Sequence, residues 1–142
     1  MEIKIKYHNP NLEKVGGIAV GDWIDLRAAE TVELHPGDFR YVSLGVSMKL
    51  PDGYEAHIAP RSSSFQKWGF LVTNSVGVVD NSYSGTNDIW KLPIYATRDA
   101  VIRENDRICQ FRIMQRMPEI TFTEVEALDA TDRGGFGSTG TR

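Results

Sequence analysis

Short stretches of branched and aromatic residues are broken by turn-forming Gly, Pro, Asn and Asp at intervals of about eight to twelve residues, and this rhythm limits the chain to an all-β sandwich or barrel. Ile3, Ile5 and Tyr7 alternate with Lys4 and Lys6, as in a half-buried strand. A polar stretch from Asn9 to Lys14 comes next and ends at Gly16-Gly17. Thr31 to Leu34 reads as a strand, and His35-Pro36-Gly37-Asp38 as a turn. Phe39 to Leu50 is rich in strand formers, Pro51-Asp52-Gly53 marks a hairpin, and Tyr54 to Ala59 is its return strand. Phe70–Thr73, Gly77–Asp80, Ile89–Ala96, Arg107–Met114 and Ile120–Val125 complete the expected set. Only Ser62 to Trp68 has a helical pattern, with Ala28-Ala29-Glu30 as a brief further helical turn.

Length and charge remove several classes of function. A chain of 142 residues is expected to form one domain with a core of its own. Its formal charge of −3 argues against coating a nucleic acid, yet permits a small anion in a local basic pocket. One cysteine, Cys109, rules out an internal disulfide. No apolar run is long enough to span a membrane, so a soluble, cytoplasmic protein is expected. His8, His35 and His57 lack zinc-ligand spacing, and neither a Walker loop nor a dinucleotide fingerprint occurs.

Four segments carry chemical interest. Pro60-Arg61-Ser62-Ser63-Ser64 opens the helical stretch with one guanidinium and three hydroxyls. A helix start favours anions, so phosphate binding competes there with ordinary serine capping. Gly77-Val78-Val79 ends in Asp80, with Tyr83 three residues on. A carboxylate at a strand's mouth can orient and deprotonate water, while Asp80-Asn81-Ser82 is also a plain turn sequence. Asp25 precedes Leu26 and is expected to be partly buried, beside an arginine or a metal's water shell. The chain's tail, Arg133-Gly134-Gly135-Phe136-Gly137-Ser138-Thr139-Gly140, combines glycines, hydroxyls, a guanidinium and one ring. It reads equally as an arm closing on phosphates and as a frayed terminus.

Together these phrases resemble the five ordered motifs of the trimeric dUTP diphosphatases (dUTPases), most closely the Bacillus and phage-type members. The motifs are Asp25-Leu26-Arg27-Ala28-Ala29; Pro60-Arg61-Ser62-Ser63-Ser64 with Lys67 and Gly69; Asn74 with Gly77-Val78-Val79-Asp80 and Tyr83; Asp106-Arg107-Ile108-Cys109-Gln110; and the Arg133 to Gly140 tail. The resemblance covers about Asp22 to Arg142. It implies a distorted jelly-roll of the β-clip kind with one short helix, assembled as a homotrimer with sites shared between subunits. It implies a β domain over residues 1–130 and a flexible arm over 131–142. The activity implied is Mg2+-dependent hydrolysis of dUTP to dUMP and pyrophosphate by water attack at the α-phosphorus.

The resemblance also distributes roles. Asp80 orients the water and, with Gln110, is catalytic. Arg61, Ser62, Ser63 and Gln110 hold phosphates. A hairpin with the backbone of Gly77, Val78 and Val79 reads uracil, supported by Asn74, and Tyr83 packs under the deoxyribose. Asp25 reaches the water shell of Mg2+, which the phosphates mainly hold. Phe136 lies over uracil, while Arg133, Gly137, Ser138 and Thr139 close on the outer phosphates. Three departures stand out: Asp22-Trp23-Ile24 where small residues are usual, an altered Ser84–Asp88 loop leading to Trp90, and Asn105 in place of a glycine. Trp90 is a candidate for contact with the site or a neighbouring chain. The rival activity on the same fold is a dCTP deaminase, whose activating glutamate has no matching context here. A nucleotide-dependent regulatory protein with an unknown partner is the other alternative.

Overall fold

The computed structural model describes residues 1–18, 20–137 and 140–141. Eleven strands and one helix run in the order β1 (Lys4–Tyr7), β2 (Ile24–Arg27), β3 (Val32–Leu34), β4 (Phe39–Ser43), β5 (Val46–Lys49), β6 (Tyr54–Pro60), α1 (Ser64–Trp68), β7 (Phe70–Val72), β8 (Gly77–Val79), β9 (Lys91–Ala96), β10 (Ala100–Ile102) and β11 (Arg107–Gln115). They form four antiparallel ladders: β2-β11-β6-β8, β4-β9-β7, β1-β5 and β10-β3. The expected all-β architecture with one short helix is what forms.

Period-two alternation builds the core. On β9, Leu92, Ile94 and Ala96 are buried while Lys91, Pro93 and Tyr95 are not. Val42 and Phe70 join them from β4 and β7, and Leu26, Ala56, Ile58 and Phe111 face them from the other large ladder. The rings of Trp90 and Phe111 meet edge to face at 5.4 Å within this core. Trp90 is thus a core residue, not a loop residue available to a site or a neighbour. Its N–H is the one buried side-chain polar atom without a partner among the described residues.

A bulge in β11 decides which residues share the end of the largest ladder. Arg107 pairs with Arg27, but Cys109 pairs with Leu26, so one extra residue is inserted on β11. Ile108 and Cys109 are consequently both buried, and Gln110 falls opposite Asp25.

Several boundaries differ from the sequence expectation. Phe39 to Leu50 is two strands in different ladders, divided at Leu44-Gly45. Gly45 takes φ +65°, and a Cβ there would lie 2.5 Å from the Cβ of Ala29. The Pro51–Gly53 turn forms, with Tyr54 N–H donating to the Pro51 carbonyl at 3.2 Å. It joins β5 and β6, which pair with other strands, so it is a corner between sheets and not a hairpin. Ala28 and Ala29 form no helical turn because their N–H groups donate to the Asp106 and Ser43 carbonyls, both at 2.8 Å. The helix starts at Ser64, two residues later than expected, and Ile89-Trp90 precede the strand expected to include them. β2 and β10 have no counterpart in the sequence expectation. Ile120–Val125 forms no strand, and every described residue from Met114 to Gly137 is exposed. The last backbone hydrogen bond to the body is Arg116 N–H to the Gly53 carbonyl, at 2.9 Å.

The corner at Gly45 tolerates no side chain. Gly45→Ala combines a left-handed backbone with a clash against Ala29, and should cost about 2–4 kcal/mol. A thermal melt should show a drop of roughly 10 °C; an unchanged melting temperature would remove the constraint.

Candidate functional site

One cluster assembles where β2, β11 and β6 end together. The register places Asp25 beside Gln110 and Gln110 beside Ala59. Arg61 leaves β6 next to them, and its Nε lies 3.2 Å from Asp25 Oδ1. Arg107 Nη1 lies 3.3 Å from Asp25 Oδ2, so two guanidinium groups flank one carboxylate. Arg61 Nη1 also donates to the Arg107 carbonyl at 3.1 Å, and Gln110 Nε2 to that of Pro60 at 3.1 Å. These bonds fix the side chains before any ligand arrives.

The three serines divide their work. Ser64 is fully buried; its hydroxyl accepts from Arg61 N–H at 3.0 Å and donates to the Ile108 carbonyl at 2.9 Å. This buried tie holds the Arg61 backbone to β11. Ser63 stands at the N-cap without making a side-chain cap bond, and Ser62 is exposed. Serine capping therefore does not account for this run, and the Ser62 and Ser63 hydroxyls are free of helix duty.

A cavity of about 590 Å³ opens over this cluster, lined by Asp25, Arg61, Ser62, Arg107 and Gln110 on one side. Its other wall is formed by residues 13–18 and 20–23, which the sequence did not mark as part of a site. Asn105 anchors that wall, accepting from Glu13 N–H at 2.8 Å and donating to the Asn11 carbonyl at 2.9 Å. Its φ of +75° explains why a glycine can stand at this position, while only a side chain can make both ties. The Trp23 ring lies 5.8 Å from the Arg112 guanidinium, so the departure from small residues before Asp25 supplies a cation–π contact.

A second cluster lies at the far end of the same sheet. β8 pairs with β6 through Gly77↔Ile58, His57↔Val78 and Ala56↔Val79. Gly77 is buried, and a Cβ there would stand 3.3 Å from Ile58 Cβ and 3.8 Å from Asn74 Nδ2. The chain then turns at Asp80, with Tyr83 N–H donating to the Asp80 carbonyl at 3.1 Å. No returning strand forms among the described residues, so this region is a strand and a turn, where the resemblance implied a hairpin. Asp80-Asn81-Ser82 forms the turn expected of it, and it presents an exposed carboxylate. Asn81 Nδ2 donates to the Pro51 and Tyr54 carbonyls at 2.8 and 3.0 Å. The Tyr83 hydroxyl donates to the Ile89 carbonyl at 3.0 Å, fixing a ring whose residue remains partly exposed. Hydrogen bonds from the Ser82 hydroxyl and N–H, helped by Tyr83 N–H, hold the Asp80 carboxyl below the usual carboxylate range.

The two clusters do not meet within one chain. Asp80 comes directly after the Val79–Ala56 pair, whereas Gln110 pairs with Ala59 and Asp25 lies one strand further. At ~3.4 Å per residue and ~4.8 Å between strands, the Asp80 and Asp25 backbones are on the order of 20 Å apart. Arg133, Phe136 and Gly137 lie on the exposed tail, Phe136 entirely so. Ser138 and Thr139 fall outside the described residues.

Among the described residues no three His, Cys, Asp or Glu side chains converge on a metal-sized site. Asp25 alone suits contact through the water shell of a hard cation, since both its oxygens already face guanidinium groups.

The chain is thus an all-β domain with a guanidinium–carboxylate cluster and an aromatic–carboxylate turn at opposite ends of one sheet, and comparisons with known proteins give its family. The chain belongs to the dUTPase family, whose sequence profile matches residues 23–140. It is 54% identical over 142 residues to a prophage-derived deoxyuridine 5'-triphosphate nucleotidohydrolase of Bacillus subtilis, covering 100% of both chains. It is 39% identical over 148 residues to the deoxyuridine 5'-triphosphate nucleotidohydrolase of Finegoldia magna, covering 99% of each. Among solved structures, a point mutant of the dUTPase of Staphylococcus bacteriophage 80alpha with dUpNHpp superposes with a TM-score of 0.79 at 18% identity, covering 99% of each chain. The dUTPase of Streptococcus mutans gives 0.71 at 22% identity, over 82% of this chain and 98% of the other. The family's jelly-roll fold is thereby this chain's fold.

Cys109, in the middle of the fourth motif, provides a check on the bulge. Its thiol is fully buried, and burial together with the smaller effect of the nearby Asp25 charge pushes its pKa up. Iodoacetamide at pH 8 should leave Cys109 unmodified in the native protein and label it once denaturant is added; rapid native labelling would contradict the packing.

Proposed function

We propose that this protein hydrolyses dUTP to dUMP and pyrophosphate, using Mg2+ carried by the triphosphate, and so limits uracil entry into DNA while supplying dUMP for dTMP synthesis. The observation that carries this reading is the presence of all five motifs of a family to which the chain belongs, matched end to end by a 54%-identical nucleotidohydrolase. A cytoplasmic place suits an enzyme acting on free nucleotides, and no helix among the described residues is long and apolar enough to cross a membrane.

Each residue of the two clusters has a task in this reaction. Arg61, with Ser62 and Ser63 exposed or partly so, binds phosphate oxygens, and Gln110 holds an oxygen of the reacting phosphate. Asp25 would hold waters of a magnesium ion, which would supply charge neutralisation of the triphosphate. The backbone of Gly77, Val78 and Val79, buttressed by Asn74, reads the uracil edge, and the Tyr83 ring packs on the deoxyribose. Uracil is separated from cytosine by donor–acceptor reversal, the stronger device, and from thymine by shape. Asp80 orients the attacking water and takes its proton. The water oxygen bonds to the α-phosphorus as the bond to the bridging oxygen of pyrophosphate breaks. Negative charge grows on the α-phosphate oxygens and on the leaving group, where the guanidinium groups and amides stabilise it.

We further propose a homotrimer in which each site draws on more than one chain. About 20 Å between Asp80 and Asp25 is too far for one α-phosphate to serve both. A second copy brings its Asp80–Tyr83 turn to the Asp25–Gln110 cavity. The exposed segment from 117 to 137, with Ile120, Phe122 and Val125 unburied, is where the chain extends away from its own body. Residues 131–142 then form the arm, laying Phe136 over uracil and Arg133 and Gly137 on the outer phosphates. Ser138 and Thr139 complete it in this reading. The remainder, 1–130, carries the β domain, whose last strand ends at Gln115, with 117–130 leading from it to the arm. A regulatory protein partner is a further role that such a surface permits.

Purified protein with Mg2+ and each nucleoside triphosphate in turn should release pyrophosphate from dUTP alone, with dUMP as co-product. Ammonia release from dCTP would overturn the assignment. Asp80→Ala should lower kcat by about a thousandfold. Phe136→Ala should cost about tenfold in kcat/KM, as loss of one stacked ring does, with the trimer intact by light scattering. Full activity of Asp80→Ala would remove its role.

A further inference from the structure

We propose that Ser82 is a positioning residue for the hydrolytic water, clamping one oxygen of Asp80 and leaving Oδ2 as the acceptor for that water. This rests on the water-activating role of Asp80 in the proposed function and goes beyond it by naming what aims the carboxylate.

Asp80 stands on an exposed turn, where an aspartate ordinarily samples several rotamers. Ser82 removes that freedom. Its N–H donates to Asp80 Oδ1 at 2.9 Å, and its hydroxyl donates to the same oxygen. Asp80 Oδ2 has no partner among the described residues. Two donors on one oxygen fix both side-chain torsions, so the second oxygen has a defined direction before substrate binds. Preorganisation of this kind keeps the ordering cost out of the chemical step.

The clamp is itself held still. Asn81 ties the turn to the Pro51 and Tyr54 carbonyls, Tyr83 N–H closes it on the Asp80 carbonyl, and the Tyr83 hydroxyl reaches Ile89. Each residue from 80 to 83 thus has its own anchor, and only Ser82 spends its side chain on the carboxylate. A capping or turn role alone would need the N–H but not the hydroxyl.

The charged groups around the turn do not supply this control. Asp52 and Glu55 on the β6 side, Glu55's partner His57, and Asp88 on the following loop are the ionisable groups on the segments packed there, together with Tyr54 and Tyr83. What holds Asp80 low is the Ser82 hydroxyl first, then the Ser82 and Tyr83 N–H groups, opposed by slight burial. A carboxyl lowered on folding stays ionised until the pH falls through its lowered value. The competent form is therefore present at neutral pH and is lost only on the acid side.

Ser82→Ala removes the hydroxyl and keeps the backbone donor. It should lower kcat for dUTP by about tenfold with KM changed less than about twofold. The acid limb of the kcat profile should move to higher pH, while the melting temperature stays put. Ser82→Thr retains the hydroxyl and should restore both rate and pH profile. Wild-type kcat and acid limb in Ser82→Ala would overturn the proposal. So would a loss that threonine does not rescue, or one confined to KM without movement of the limb, because either describes a merely structural turn residue. Asp80→Asn separates the two levels: if it is inactive while Ser82→Ala is normal, the clamp alone fails, and if it is active, the Asp80 reading fails with it.

Discussion

The ladder between β6 and β11 is the element on which the rest depends. Seven residue pairs, from Cys109↔Pro60 to Gln115↔Tyr54, lock the two strands in register. That register sends Arg61 and Gln110 out at one end and, through β8, Asp80 at the other. A one-residue slip would turn every side chain to the opposite face. The bulge at Ile108-Cys109 then sets Gln110 against Asp25 without unpairing β2. The same rigidity that aligns the phosphate-side residues keeps the Asp80 turn remote from them. A stiff sheet cannot fold back on itself, which is why the proposed site draws on a second copy.

The two carboxylates assigned to the chemistry have opposite surroundings, and this suits opposite tasks. Asp25 is flanked by Arg61 and Arg107, each just over 3 Å away. Its charge is largely matched, which fits an outer contact to hydrated metal and not a nucleophile or base. Asp80 has no cation on it among the described residues, and its side-chain hydrogen bonds come from Ser82. It keeps its full charge and one open oxygen. Arginine, not lysine, suits the first place because its planar fork can hold the carboxylate, a carbonyl and a phosphate oxygen at once.

Much of this architecture is legible in the sequence, for identifiable reasons. Strand alternation is plain wherever one face is buried, as in Leu92, Ile94 and Ala96. The motif residues are visible because Arg61, Asp80 and Gln110 have no reason to sit at strand ends as core. What escapes a reading of the sequence is non-local. Pro51–Gly53 looks like a hairpin because the turn is local, whereas the choice of partner strand is not. Ala28-Ala29 looks helical because nothing in the sequence says that Asp106 and Ser43 will take their N–H groups. Ile120–Val125 alternates like a strand but has no neighbouring strand among the described residues of its own chain. The Glu13–Trp23 wall and the Asn105 clamp joining it to the site span some ninety residues of sequence.

In the proposed trimer, Asp80 and the Arg61 cluster act on one substrate from different chains. Mixing two inactive variants, Asp80→Ala and Arg61→Ala, after joint unfolding and refolding tests it directly. In a closed ring of randomly mixed subunits, about one site in four pairs an intact Arg61 with an intact Asp80. The account predicts dUTP hydrolysis at about a quarter of the wild-type rate from that mixture. A mixture as inactive as its components would contradict it.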